Sequence, residues 1–355
     1  MLRKSGILLI VLTVVACAQR YERPLRQSWR GVRGAIAGGS EPAVEAGARL
    51  YHQGGNAVDA GIATTLAAAV FEFSHLGLGG EAPILVRTKD GKVHSIIGVG
   101  TMPKAATAEF FRHRPLVPGE ILYPPERGGL KGMVPVAGLM PALVPGMMDA
   151  ALVTLREYGT KSFAQVVEPA IELADGVPLD ETRVSAIERS RRFFQLWPSS
   201  RHVFLPDGRP PAIGEVFRQP DLARTLRSLV EAEKHALASG VSRVAAIDAV
   251  RDAFYRGDIA RRIDAFSREH HGLLRYEDMA AFRVQPEDAV TVTYRDYQVY
   301  KPGFVTQGPS MLEALNILEG FDLRSLRWNS AAYIHTVVEA LKLAYADRDT
   351  YYGDP

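Results

Sequence analysis

Residues 53–85 constrain what this chain can fold into more than any other stretch, because four structural signals fall inside them. Gly54-Gly55 stops whatever helix precedes it. Asn56, with Asp59 three positions on, reads as an N-cap with a capping box. The segment that follows is mostly Ala, Gly, Ile, Val and Thr, with almost no charge after Asp59. A helix of that composition has no polar face to offer water, so it is expected to be buried, most simply against a sheet. After His75, the glycines Gly77, Gly79 and Gly80 let the backbone turn tightly or approach a ligand with no side chain between. The apolar run from Ala82 then reads as a buried strand.

Around that run the chain is ordinary in size and charge. Its 355 residues suit one large or two modest domains. A charged fraction of 23% and a formal net charge of +2 exclude a global pull toward nucleic acid or acidic membranes. Outside the N-terminus no segment is apolar enough to cross a bilayer.

Residues 1–18 are a different matter. Arg3 and Lys4 precede an apolar stretch from Gly6 to Val15, followed by Ala16-Cys17-Ala18, the shape of a secretory signal peptide. Two cleavage readings stay open: a small-x-small signal-peptidase site, or a bacterial lipobox in which Cys17 is lipidated and becomes the first mature residue. As the only cysteine, Cys17 leaves no intrachain disulfide and no other thiol catalyst. Export to the periplasm, or to the outer membrane as a lipoprotein, is the expectation, and a lipid on Cys17 would be the only membrane contact. Residues 19–34 then read as a basic tether.

Helices are expected over 43–52 and 57–72, then strands over 82–87 and 92–97 joined across Asp90-Gly91, a hairpin signal. Residues 110–145, rich in Pro and Gly, read as a long ordered excursion. Helices resume over 147–157 and 162–175, and residues 180–265 read as a charged, amphipathic helical lobe. Val290 to Tyr300 alternates as a single strand, and helices follow over 310–318 and 331–349. This order suits a layered α/β (α+β) protein with antiparallel strands rather than a doubly wound one.

The chemical motifs are few. Gly77-Leu78-Gly79-Gly80-Glu81-Ala82 matches a dinucleotide fingerprint in letters, but it follows a helix and opens a strand, the reverse of what that motif requires. His270-His271 has no third ligand at metal spacing and reads as a solvated turn before Gly272. Ser74-His75 lacks a nucleophile elbow and reads as a loop start. Asp347 and Arg348 read as helix surface pairs, and Gly353-Asp354-Pro355 as a turn after the helix. No metal site, phosphate loop, cofactor or nucleic-acid patch is expected.

The ordered set of motifs resembles the gamma-glutamyltranspeptidase family. The likeness starts with the helix, Gly-Gly, helix, Gly-rich loop and strand of the opening run. It continues through Gly98-Val99-Gly100-Thr101-Met102-Pro103-Lys104, the Val144-Pro145-Gly146 turn, Gly272 to Phe282, Leu315 to Glu319, and His335 to Arg348. It spans residues 35–355. The resemblance implies an N-terminal nucleophile hydrolase αββα sandwich, made as one precursor that cuts itself before a threonine into large and small subunits. The freed Thr attacks a gamma-glutamyl amide, glutathione being the usual donor, while its own α-amine takes the hydroxyl proton. An α-amino group titrates near 8, which suits that task. No cofactor is implied; the implied partners are the small subunit and a small-molecule acyl amide.

Two departures from the family pattern shape the expectation. The chain reads as the large-subunit portion, so the sandwich is incomplete without the small-subunit half. The catalytic Thr is expected beyond Pro355, and no catalytic residue is assigned here; Thr350 does not match it. At the family's carboxylate-binding Arg this chain has Val99, flanked by Gly98 and Gly100 in a slot expected to be conformationally free but uncharged. Val99, Gly79 and Gly80 are the expected substrate-binding positions. Three readings follow: a gamma-glutamyl amide enzyme when complete, an acylase acting on a non-glutamyl amide, or a non-catalytic fragment or scaffold awaiting a separate small subunit.

Overall fold

The computed structural model describes residues 34–116, 120, 122 and 133–353. Cys17, the leader and tether, most of the stretch between His113 and Met133, and the final Asp354-Pro355 lie outside the described residues.

Helix α1 (Glu41–His52) ends at Gln53 and Gly54, the latter at φ 76°, and α2 (Ala57–Phe71) starts three residues after Gly54. The Asn56 side chain accepts from the amides of Val58 (2.8 Å) and Asp59 (3.0 Å), and Asp59 accepts from the Asn56 amide at 2.8 Å. Asp59 is fully buried, and also accepts from the amides of Thr160 and Lys161 and the hydroxyl of Thr160. It thereby ties the start of α2 to the loop between α4 (Met147–Tyr158) and α5 (Phe163–Asp175).

The burial of α2 holds, but its neighbours are not those expected. It packs chiefly against α1 and α5, and next against α4; α4 is the helix that lies on the sheet. Small side chains explain the substitution. A Cβ at Gly47 of α1 would stand 2.3 Å from Thr64 Oγ1 and 2.8 Å from the Ala60 carbonyl oxygen, so the two helices meet almost backbone to backbone. A smooth helix can therefore be buried by other helices as well as by a flat sheet.

Strands β1 (Ala82–Arg87) and β2 (Val93–Gly98) form the antiparallel hairpin, paired from Ala82↔Gly98 to Arg87↔Val93. The turn runs through Asp90 and Gly91, with Gly91 at φ 89°. Two short strands, β3 (Val177–Pro178) and β4 (Val216–Phe217), pair with each other, and β5 (Pro286–Asp288) joins the other edge of β2, giving the order β1-β2-β5. Alternation sorts the faces. Val86 and Ile96 lie in the main core, joined by Ala82 and Ile84. Val93, Ser95 and Ile97 fall on the opposite face, as do Pro83, Leu85 and Arg87.

The stretch expected as one strand over Val290–Tyr300 is two: β6 (Val290–Tyr294) and β7 (Tyr297–Lys301), paired antiparallel. Arg295 and Asp296 turn the chain at φ 47° and 68°. Asp tolerates that region, and both residues at positive φ make the turn type that matches strand twist, without the Asn-Gly or Asp-Gly pair that signals it in sequence. Helices α12 (Gly308–Glu319) and α13 (Ala331–Tyr351) pack on each other, and α12 packs on the hairpin.

The helices of residues 180–265 divide between two clusters. Those over Pro220–Ala238 (α8), Arg243–Tyr255 (α9) and Asp258–Glu269 (α10) contribute to the main core. Those over Glu181–Leu196 (α6) and Pro198–Phe204 (α7) join a satellite around Phe71, Val177 and Phe217. A short helix, α3 (Ala108–His113), opens the excursion, and α11 spans Tyr276–Ala281. Among the described residues no helix is long and apolar enough to cross a membrane.

Candidate functional site: a cleft at the end of the second strand

The Gly-rich loop, the end of β2 and the start of α4 converge. The Gly80 carbonyl accepts from the amides of Gly146 (3.2 Å) and Met147 (2.9 Å), seating the first turn of α4 on the loop. The Val144 amide donates to the Thr101 carbonyl at 3.0 Å, which lays residues 144–146 alongside residues 98–101. The approach is as close as backbone allows. A Cβ on Gly100 would stand 1.8 Å from the Val144 oxygen, and one on Gly146 2.5 Å from the Gly98 oxygen. One on Gly98 would stand 2.5 Å from the Ala150 methyl and 2.7 Å from the Ala82 oxygen.

This overturns one expectation about Val99. Its glycine neighbours give no conformational freedom: neither adopts positive φ, and each is glycine because nothing larger fits. Position 99 is clamped on both sides.

Val99 carries the strand alternation one step past β2, so it lies on the face opposite α4. There it lines a cleft of about 470 Å³. Ile97, Val99, Gly100 and Thr101 come from the strand end; Phe304, Val305, Thr306 and Gln307 come from the loop before α12; Arg348, Asp349, Tyr352 and Gly353 come from the end of α13. Gly79 and Gly80 are outside this lining. Gly80 acts one layer back through the α4 turn, whereas a Cβ on Gly79 would meet no heavy atom within 4 Å.

Arg348 and Asp349 are the charged groups of the cleft. Arg348 Nη1 donates to Gln307 Oε1 at 3.0 Å, while its Nε and Nη2 donate to Asp349 Oδ1 at 2.9 and 2.6 Å. Tyr352 donates to Glu313 Oε2 at 2.7 Å; that bond first, then burial, pushes its phenol up to about 12. Tyr352 is therefore a neutral donor at any physiological pH. Thr350 sits within α13, its hydroxyl donating to the Ala346 carbonyl at 2.8 Å. From sequence Arg348 reads as a helix surface residue; nothing in its spacing marks the cleft it faces.

Behind the cleft lies a buried network equally silent in sequence. Asp149 and Arg251 are 0% and 3% exposed and pair through Arg251 Nε at 2.6 Å and Nη2 at 3.2 Å. Asp149 also accepts from the Val284 amide at 2.7 Å. The Tyr255 hydroxyl donates to the Pro145 carbonyl at 2.6 Å and accepts from the Asp149 amide at 3.0 Å. Burial raises the Tyr255 phenol far above its ordinary range, so it remains protonated and holds Pro145. The 144–146 turn is thus fixed from its far side.

A second, apolar groove of about 670 Å³ runs between β1 and the α12–α13 pair, lined by Pro83, Leu85, Met311, Leu315, Val337 and Leu341 among others. β1 is the terminal strand of its sheet, and Leu85 and Met311 are 38% and 46% exposed.

The family model for gamma-glutamyltranspeptidase matches residues 43–355, which takes in every element of the cleft. The chain belongs to the gamma-glutamyltranspeptidase family. It is 32% identical over 318 residues to a glutathione hydrolase-like YwrD proenzyme of Bacillus subtilis, covering 88% of this chain and 54% of that protein. It is 30% identical to the acylase ACY 1 proenzyme of Pseudomonas sp. (strain SE83), covering 92% and 54%. The chain spans about half the length of the curated relatives it matches. Among solved structures, the Helicobacter pylori gamma-glutamyltranspeptidase superposes with a TM-score of 0.76 at 25% identity over 93% of this chain and 86% of that one. The cephalosporin acylase from Bacillus halodurans gives 0.75 at 31% identity, over 94% and 59%. The fold is the N-terminal nucleophile hydrolase type of these enzymes, with the sheet backed by α4 and the β6–β7 hairpin packed on α12.

Proposed function

We propose that the chain is the larger, substrate-binding part of an enzyme that cleaves acyl amides, gamma-glutamyl amides such as glutathione among them. The attacking group would be an N-terminal threonine on a small subunit cut from the same precursor. Its hydroxyl oxygen attacks the amide carbon, its α-amine receives the proton, and the amine product leaves with a proton as the C–N bond breaks. Water then hydrolyses the ester, or an amino acid takes the acyl group. The apolar groove along the edge of β1 is the seat proposed for that subunit. A strand edge left unpaired among the described residues, beside exposed apolar helix residues, is the kind of surface a partner strand covers. The proposal extends to export by residues 1–18, with Cys17 as a candidate lipid attachment site, and to residues 19–34 as a tether.

The observation that carries this reading is the clamped junction. The packing of Gly98 and Gly100 against Val144–Gly146 presents position 99 to a cleft of about 470 Å³. Gly79 and Gly80 are proposed to shape the approach to it. A second reading, an acylase acting on a non-glutamyl amide, is favoured by Val99, since valine cannot form the two-pronged contact an arginine makes with a carboxylate.

The test is hydrolysis of gamma-glutamyl-p-nitroanilide by the full-length gene product, with and without Val99→Arg. Turnover that rises in the variant supports the gamma-glutamyl reading with Val99 as its handicap. Turnover of other acyl anilides but not of this one selects the acylase reading. A soluble protein that turns over none of them defeats both.

A further inference from the structure

Among the described residues lining the Val99 cleft, Arg348 is the only cationic side chain. It is held from several sides: Gln307 accepts from Nη1 at 3.0 Å, the Tyr345 ring lies 4.7 Å from the guanidinium carbon, and Asp349 binds through a single oxygen. A guanidinium has five N–H donors, and three are engaged by these bonds. The single-oxygen contact is also not the two-oxygen fork that makes an Arg–carboxylate pair strong. The side chain of Asp349 is 67% exposed against 35% for Arg348. An ion pair so open to water contributes little, and its carboxylate is readily exchanged for another. The opposite wall, Ile97 and Val99, is apolar and suits a short methylene chain.

We propose that Arg348 binds a carboxylate of the substrate's acyl group, displacing Asp349, and so performs from the α13 wall the recognition that residue 99 cannot. The inference rests on the amide-cleaving reading above and names the acyl class: a short chain ending in a free carboxylate. A gamma-glutamyl group carries that carboxylate beside an ammonium; a glutaryl group carries it alone.

The experiment compares glutaryl-, gamma-glutamyl- and valeryl-p-nitroanilide as substrates of the full-length protein. The two carboxylate-bearing substrates are expected to exceed the neutral valeryl one in kcat/KM by roughly 10- to 100-fold, the range of a hydrogen-bonded charged contact. Most of that ratio should vanish in Arg348→Gln, and part should return in Arg348→Lys, which restores charge without the fork. Asp349→Asn, which removes the competing carboxylate, should raise the ratio. The balance between the glutaryl and gamma-glutamyl substrates identifies the source of the carboxylate. A valeryl preference in the unmodified protein, or a carboxylate preference that survives Arg348→Gln, overturns the proposal. Binding separates this from failure of the amide reading. If no anilide is cleaved, a rise in melting temperature with glutarate, larger in Asp349→Asn and absent with valerate or in Arg348→Gln, sustains the Arg348 site. Absence of that shift in the unmodified protein and in Asp349→Asn refutes it.

Discussion

Gly100→Ala strikes the tightest point of the junction that sets position 99. The new methyl would stand 1.8 Å from the Val144 carbonyl oxygen and 2.9 Å from its carbon. Both are backbone atoms, so no rotamer change relieves the clash. The two segments must part by roughly 1.2 Å to reach even a 3.0 Å contact, and well-packed surroundings resist that. Parting them breaks the 3.0 Å bond from the Val144 amide to Thr101. Overpacking costs about 1–3 kcal/mol, and the lost hydrogen bond adds about 0.5–1.5 kcal/mol. Together these give roughly 1.5–4.5 kcal/mol, which at about 2.1 cal/mol/K of unfolding entropy per residue lowers the melting temperature of a body of this size by roughly 2–7 °C. Differential scanning calorimetry of the full-length protein reads the shift. Gly79→Ala is the matched control: it meets no heavy atom within 4 Å and needs no positive φ, so it should melt within about 1 °C of the parent. If Gly100→Ala melted with the parent, or Gly79→Ala fell as far, the close-approach account of these glycines would be wrong.

Two further outcomes probe what lies behind the cleft. Arg251→Met leaves Asp149 charged, buried and short of two of its bonds, and should destabilise by about 3–5 kcal/mol; Asp149→Leu with Arg251→Met should recover much of that loss, as chemical denaturation would show. For Asp59, burial works to raise the carboxyl, but the Thr160 hydroxyl and the amides of Lys161, Asn56 and Thr160 outweigh it and hold it below the usual carboxylate range. A carboxyl depressed in the folded state stabilises fully above its unfolded pKa, near 4, and loses that contribution as pH falls through its folded value. Asp59→Asn should therefore be less stable than the parent at pH 7, and the gap should close as pH falls through the depressed folded value, followed by thermal melts from neutral into acid.

Much of the framework was legible without coordinates. The Asn56–Asp59 capping box, the stop at Gly54, the β1–β2 hairpin and the two closing helices follow from local rules, because caps, turns and periodicity depend on residues a few positions apart. The motifs from the opening run to Arg348 were sufficient for the family as well. The surroundings of each element were less legible. That α2 is a smooth, buried helix is written in its alanines, whereas its partners were decided by where Gly47 lets α1 approach. The β6–β7 turn carries no local sequence signal, because Arg295-Asp296 reaches positive φ without a glycine.

The run from Gln53 to Leu85 shows where the division falls. Its sequence alone determined a capped, uncharged helix, a turn-rich loop and a strand, together with membership of the gamma-glutamyltranspeptidase family. Tertiary structure decided what the neighbouring glycines are for. Gly80 anchors α4, Gly98 and Gly100 clamp Val99, and Gly79 stands in open space. It also carried Arg348, far along the chain, to the cleft that Val99 lines. The physical reason is range. Backbone conformation is chosen by neighbours in sequence, but steric exclusion and charge placement at a site are set by segments that meet only when the chain has folded.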